Sequence, residues 1–93
     1  MLYLLEYDLV PDYIERRVPL RLEHLSLARA ETEAGRLRLG GALADPTDRA
    51  LLVFTDAAAA EAFVAADPYV KNGLVRAYRI RPWTVVVGAD HKG

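Results

Sequence analysis

Residues 36–54, RLRLGGALADPTDRALLVF, decide the fold. In 36–43 the leucines Leu37, Leu39 and Leu43 fall on one face and Arg36 and Arg38 on the other, which predicts a half-exposed strand. Gly40 and Gly41 soften it and place it at a sheet edge. The turn ADPTDR (44–49) holds Asp45, Pro46 and Asp48, all turn formers. ALLVF (50–54) then reads as a central strand, because it is apolar on both faces.

Outward from this pair, the pattern is nearly symmetric. Residues 2–8 (LYLLEYD) are apolar on both alternating faces and predict a strand buried on two sides. Pro11 ends it, and Asp12 is placed to cap a helix. A helical pattern runs over 13–34, with Ile14, Val18, Leu22, Leu25 and Ala28 in one stripe at 100° per residue. Pro19 interrupts it, either kinking the helix or making its first turn separate. Gly35 ends it. On the other side, Thr55 or Asp56 caps an alanine-rich helix, AAAAEAFVAA (57–66). DPYVKNG (67–73) reads as a structured loop, and LVRAYRIRPWTVVV (74–87) as extended chain in which Pro82 separates the pairing strand from a short additional one. ADHKG is a polar tail.

The order β-α-β-β-α-β defines an α+β chain of ferredoxin-like topology: a four-stranded antiparallel sheet with two helices on one face, forming a single domain over 1–93. The first and third strands are apolar on both sides, so the helix-free face needs a cover that the chain does not contain. The hydrophobic content, 53%, is high for so small a domain. Both observations predict a homodimer with two sheets packed face to face, and Trp83 with the valines at 85–87 at the interface or its edge.

The charge balance, 12 basic against 13 acidic residues, gives no support to nucleic acid or an anionic membrane as partner. Cysteine is absent, which removes disulfide and thiolate chemistry. The start, MLYLLEYD, is too short and too acidic for a signal peptide, and no apolar run approaches the ~20 residues of a membrane span. A cytoplasmic location is the default expectation.

Among residues able to carry chemistry, His24 stands out. On the helical wheel it lies at the flank of the core stripe, between Leu20 and Leu27 on one side and Arg17 and Arg21 on the other. An imidazole at such a boundary can act as general acid or base near neutral pH. The plainer alternative is a partly buried helix histidine bonded to a carbonyl. Asp67 is its natural partner. In this topology both helices start at the same end of the sheet. His24, roughly 16 Å along the first, then stands level with Asp67 at the end of the second. A carboxylate there can orient the ring, or can simply terminate the helix as an Asp-Pro. Asp8 and Glu6 share a face of the first strand with Leu2 and Leu4 and either line a pocket or sit at its rim, so Asp8 is a second candidate partner. Arg21, Tyr69 and Lys71 can hold an anionic or phenolic substrate, or be solvated surface residues. No metal or cofactor is expected: His91 lies in the tail, no cluster has ligand spacing, Gly40–Gly41 is no phosphate loop, and there is no G-x-S-x-G around Ser26.

The segments RRVPLRLEHL (16–25), GRLRLGGAL (35–43), DPYVKNGL (67–74) and RPW (81–83) resemble the YciI-like proteins, in the same order and at about the same spacing. DPYVKNGL after an alanine-rich helix is the most specific part. The resemblance implies a ferredoxin-like fold in the dimeric α/β-barrel superfamily. It also implies a histidine and an aspartate facing a pocket, which carries onto His24 and Asp67. A relative in chlorinated-aromatic breakdown is a dehydrochlorinase, which implies acid–base elimination on a small ring; Pro19 inside the first helix departs from the expected pattern. Three functions follow: a cofactor-free lyase- or isomerase-like enzyme acting on a small aromatic or lactone-like molecule, a non-catalytic small-ligand-binding or accessory dimer, and a purely structural dimer.

Overall fold

Pro19 decides how the first half of the chain folds. It has no N–H to donate and cannot sit inside a continuous helix. In the computed structural model, which describes residues 1–89, the expected long helix is accordingly three pieces: α1 (Tyr13–Arg16), a 3₁₀ turn (Val18–Leu20) and α2 (Arg21–Glu33). The turn rotates α2 relative to α1, so one wheel drawn through 13–34 assigns the wrong core face. Ile14, Val18 and Leu22, expected inside, are exposed, Leu22 to 76%. Leu20 and Leu27 pack against the core instead, together with Ala28, which the stripe did place inside. Asp12 precedes α1 without accepting a cap hydrogen bond and lies 3.7 Å from Arg16. Gly35, at φ 82°, ends α2 in the left-handed conformation that favours glycine.

The remaining elements are β1 (Leu2–Leu9), β2 (Leu37–Ala42), β3 (Arg49–Phe54), α3 (Ala57–Ala66), α4 (Pro68–Lys71) and β4 (Val75–Trp83). The strands form one antiparallel sheet in the order β2-β3-β1-β4, the ferredoxin-like arrangement. Leu5, Tyr7 and Leu9 point to the helices and join Leu52, Phe54 and Phe63 in the core. Leu2, Leu4, Glu6 and Asp8 point the other way. On that helix-free face Leu4 lies opposite Val53 and Glu6 opposite Leu51.

Three local expectations change. Leu37 and Leu39 do not share a face: the register shifts between them, so they oppose the consecutive residues Phe54 and Val53. Such a bulge reverses the facing of everything beyond it; Leu37 is buried and Leu39 is 67% exposed. The loop after α3 contains a helical turn, α4, because Asp67 caps it and Pro68 occupies its first position. Pro82 does not end the last strand. It pairs with Tyr3 at the sheet edge, where a missing N–H is tolerated. His91 and most of the polar tail lie outside the described residues.

Candidate active site

Three elements converge behind α2. The alternation of β1 turns Tyr7 inward. The second turn formed by Arg21–Glu33 presents His24 toward the sheet. The junction of α3 and α4 brings in Asp67, whose extended backbone (φ −68°, ψ 120°) both closes one helix and opens the next. Asp67 is completely buried and accepts three hydrogen bonds: from the Tyr7 hydroxyl at 2.8 Å, from the Tyr69 backbone N–H at 3.0 Å, and from His24 Nδ1 at 2.8 Å. A carboxylate only accepts, and the Tyr69 N–H fixes Oδ1 as an acceptor. His24 Nδ1 therefore carries the proton on that side, and in the neutral ring Nε2 keeps its lone pair.

The ring is also held flat. Tyr69 stacks on it with centroids 3.8 Å apart and planes 7° apart, and Phe63 meets it edge-on at 6.0 Å. Tyr13 in turn packs edge-on against Tyr69 at 5.6 Å. Burial pushes the Tyr69 phenol up to about 12, with Tyr13 adding to the shift and Arg17 and Arg21 opposing it. Burial, and then the neighbouring Asp67 charge, holds the Tyr7 phenol far above its usual range. Both hydroxyls are thus kept as O–H groups through neutral and moderately alkaline pH.

His24, Tyr7 and Tyr69 open onto a cavity of about 270 Å³ between α2 and the β2–β3 part of the sheet. Its α2 side carries Arg21, Leu25, Ala28 and Thr32, one stripe at helical spacing, and its sheet side carries Gly40, Ala42 and Ala50. Among the described residues no group of three or more His, Asp or Glu side chains is arranged to hold a metal ion. No helix among them is long and apolar enough to cross a membrane.

The structure brings together four of the residues singled out from sequence: His24, Asp67, Arg21 and Tyr69. Asp8 lies apart, on the opposite face of the sheet. Two hydrogen bonds from Arg79 at 3.2 and 3.3 Å engage it, with Arg49 at 3.2 Å, and these guanidinium groups, Arg79 first, hold its carboxyl below the usual range. It is thus not the acid beside His24. Glu6 shares its environment through Arg79 at 2.9 Å. Lys71 is exposed on α4 and does not line the cavity. Sequence reasoning passed over Tyr7. Its signal was available: strand alternation sets it inward beside Leu5, and a buried tyrosine needs a partner for its hydroxyl.

A ferredoxin-like sheet with a buried carboxylate bonded to a histidine at a cavity wall defines a small α+β domain with a mixed polar and apolar pocket between helix and sheet. The chain belongs to the family described as the YCII-related domain, whose model matches residues 1–84. A solved structure with the same fold is the 5-chloro-2-hydroxyhydroquinone dehydrochlorinase of Burkholderia phenoliruptrix AC1100 in complex with 2,5-dihydroxybenzoquinone. It has a TM-score of 0.74 and 20% identity, over 90% of this chain and 94% of that one. No curated protein matches the sequence.

Proposed function

We propose that this protein is an enzyme that performs cofactor-free acid–base chemistry, of the lyase or isomerase kind, on a small ring-containing molecule bound in the cavity beside His24. The observation that carries this reading is the fully buried Asp67 bonded to His24 Nδ1, which leaves Nε2 with a lone pair at the cavity. Nε2 takes a proton from a carbon or hydroxyl of the substrate. The electron pair left behind forms a C=C or C=O bond. In an elimination the leaving group departs with its own bonding pair; in an isomerisation the proton returns to another atom. Asp67 orients the ring and stabilises the imidazolium formed in between. Tyr69 supports the ring by stacking, and Arg21 stands where a bound anion would meet the protein. The dehydrochlorinase of like fold, solved with a dihydroxybenzoquinone, supports an aromatic or quinone-like substrate and elimination as the reaction type.

The working form in this proposal is a cytoplasmic homodimer. The helix-free sheet face carries Leu2, Leu4, Leu51 and Val53, with Leu39 exposed beside them, and a second copy can cover it. The competing reading is a non-catalytic small-ligand-binding dimer. One observation favours it: Asp67 also caps α4, a structural task that needs no reaction. A thermal-shift screen of small metabolites followed by mass analysis of each stabilising compound separates the two. Conversion by the wild type and not by His24→Ala is expected. Compounds that bind both proteins and are converted by neither would establish the binding protein instead, and equal conversion by both would remove His24 from the chemistry.

A further inference from the structure

The cavity is unusually one-sided in charge. Arg17, Arg21 and Arg29 all line it, and no aspartate or glutamate does, although the whole chain carries a formal net charge of −1. Among the described residues none of the three pairs with a carboxylate; Arg17 rests over the Tyr13 ring, 5.1 Å from its centroid. Four arginines outside the cavity do meet carboxylates: Arg16 with Asp12, Arg36 with Glu31, Arg49 with Asp8, and Arg79 with Glu6 and Asp8. Three unneutralised guanidinium groups around a concave, partly apolar space focus a positive potential into it. They spread along the helix side: Arg21 and Arg29 are eight positions apart in sequence, about 12 Å along α2.

The opposite wall limits what fits. Gly40, Ala42 and Ala50 give the sheet side little side-chain volume. A Cβ on Gly40 would come within 3.1 Å of Leu52 Cγ, so this wall already sits close to its packing limit. The cavity of about 270 Å³ stands near the lower end of the ~300–1,000 Å³ of small-molecule sites, a size that suits one substituted ring. The stacked His24–Tyr69 pair and the edges of Leu25 and Leu52 supply apolar surface for such a ring.

We propose that the cavity selects a single small ring bearing an anionic oxygen, a carboxylate or an ionised ring hydroxyl, with Arg17, Arg21 and Arg29 holding the charge and the glycine–alanine wall setting the ring size. This deepens the acid–base reading and rests on the same cavity being its reaction site. Guanidinium groups suit either oxygen anion, and hydrogen bonds to a charged group are about twice as strong as neutral ones. The arginines thereby place the negative end of the ligand along α2.

The test uses the full chain and four probes at low ionic strength: benzoate against benzamide, and 4-nitrophenolate against 4-nitroanisole, with affinity read by calorimetry. At least one anion is expected to bind about tenfold or more tighter than its uncharged counterpart. The benzoate pair reports a carboxylate site and the nitrophenolate pair an ionised ring oxygen. The preference is expected to fall severalfold in Arg21→Gln and further in Arg21→Gln with Arg29→Gln, both on exposed helix positions that leave the fold intact. Ala42→Leu, at the sheet edge, is expected to weaken the favoured anion severalfold by filling the cavity. His24→Gln is expected to keep the charge preference, so the outcome does not depend on catalysis. The proposal is overturned if neither anion is preferred, or if the preference survives both arginine variants. Unchanged affinity in Ala42→Leu would overturn the assignment of ring size. None of these results bears on whether His24 moves a proton, which turnover alone decides.

Discussion

Replacing Asp67 by alanine removes the one group on which three elements depend. The Tyr7 hydroxyl and the Tyr69 N–H lose their acceptor inside the protein, and His24 Nδ1 loses its partner at a position with a side-chain exposure of 15%. An unpaired buried donor costs about 1–3 kcal/mol. Removing a buried carboxylate also recovers its desolvation cost, which offsets part of the loss. The net destabilisation expected is about 2–5 kcal/mol. A chain of 93 residues has a total stability of about 5–14 kcal/mol, so the variant loses a large share of it. Asp67→Asn behaves differently. Its Oδ1 still accepts from Tyr69 N–H and His24, the Tyr7 hydroxyl turns to accept from the amide, and asparagine caps α4 as well as aspartate does. A loss below about 1.5 kcal/mol is expected, while turnover falls because the imidazolium is no longer stabilised. Urea unfolding followed by circular dichroism measures both variants. A loss of less than about 1 kcal/mol in Asp67→Ala, or a larger loss in Asp67→Asn than in Asp67→Ala, would refute the three-donor arrangement.

Leu22→Glu should cost less than about 0.5 kcal/mol, since Leu22 is 76% exposed; a loss of 2 kcal/mol or more would restore it to the core. In an alkaline titration, two of the five tyrosines, Tyr7 and Tyr69, should stay un-ionised at pH 11, and Tyr7→Phe should leave the absorbance at that pH unchanged. Both phenols have folded values above their usual 10, so their contribution to stability is complete below that value and is lost as pH rises through about 12 and beyond. A homodimer should appear by sedimentation at micromolar concentration. Trp83, 47% exposed in the single chain, should shift its emission to the red on dilution below the dissociation constant, and a stable monomer would exclude the proposed assembly.

Much of the fold was legible because its signals are local. Strand periodicity in 2–8 and 50–54, the capping Asp56 that accepts from Ala59 N–H at 2.7 Å, and Gly35 each act within a few residues of themselves. Helix lengths set His24 level with Asp67 only by treating 13–34 as one continuous helix; the break at Pro19 removes that premise, and it is the packing of α2 that brings the two side chains together. The misassigned helix face and the misplaced Leu39 have one kind of cause. A proline turn and a β-bulge each shift the phase of a periodic pattern by a small amount, and every later residue inherits the shift.

Sequence by itself therefore determined the strand-and-helix order, the antiparallel sheet and the absence of cysteine chemistry, and it narrowed the partner of His24 to Asp67 or Asp8. Tertiary structure alone decided that Asp8 faces away from His24 and that Tyr7 completes the hydrogen bonding of Asp67. It also gathered Arg17, Arg21 and Arg29 around one cavity with no acid among its lining residues. Those facts depend on which groups from distant segments share a small volume. Burial then converts that proximity into chemistry, because a carboxylate removed from water must find its donors within the protein.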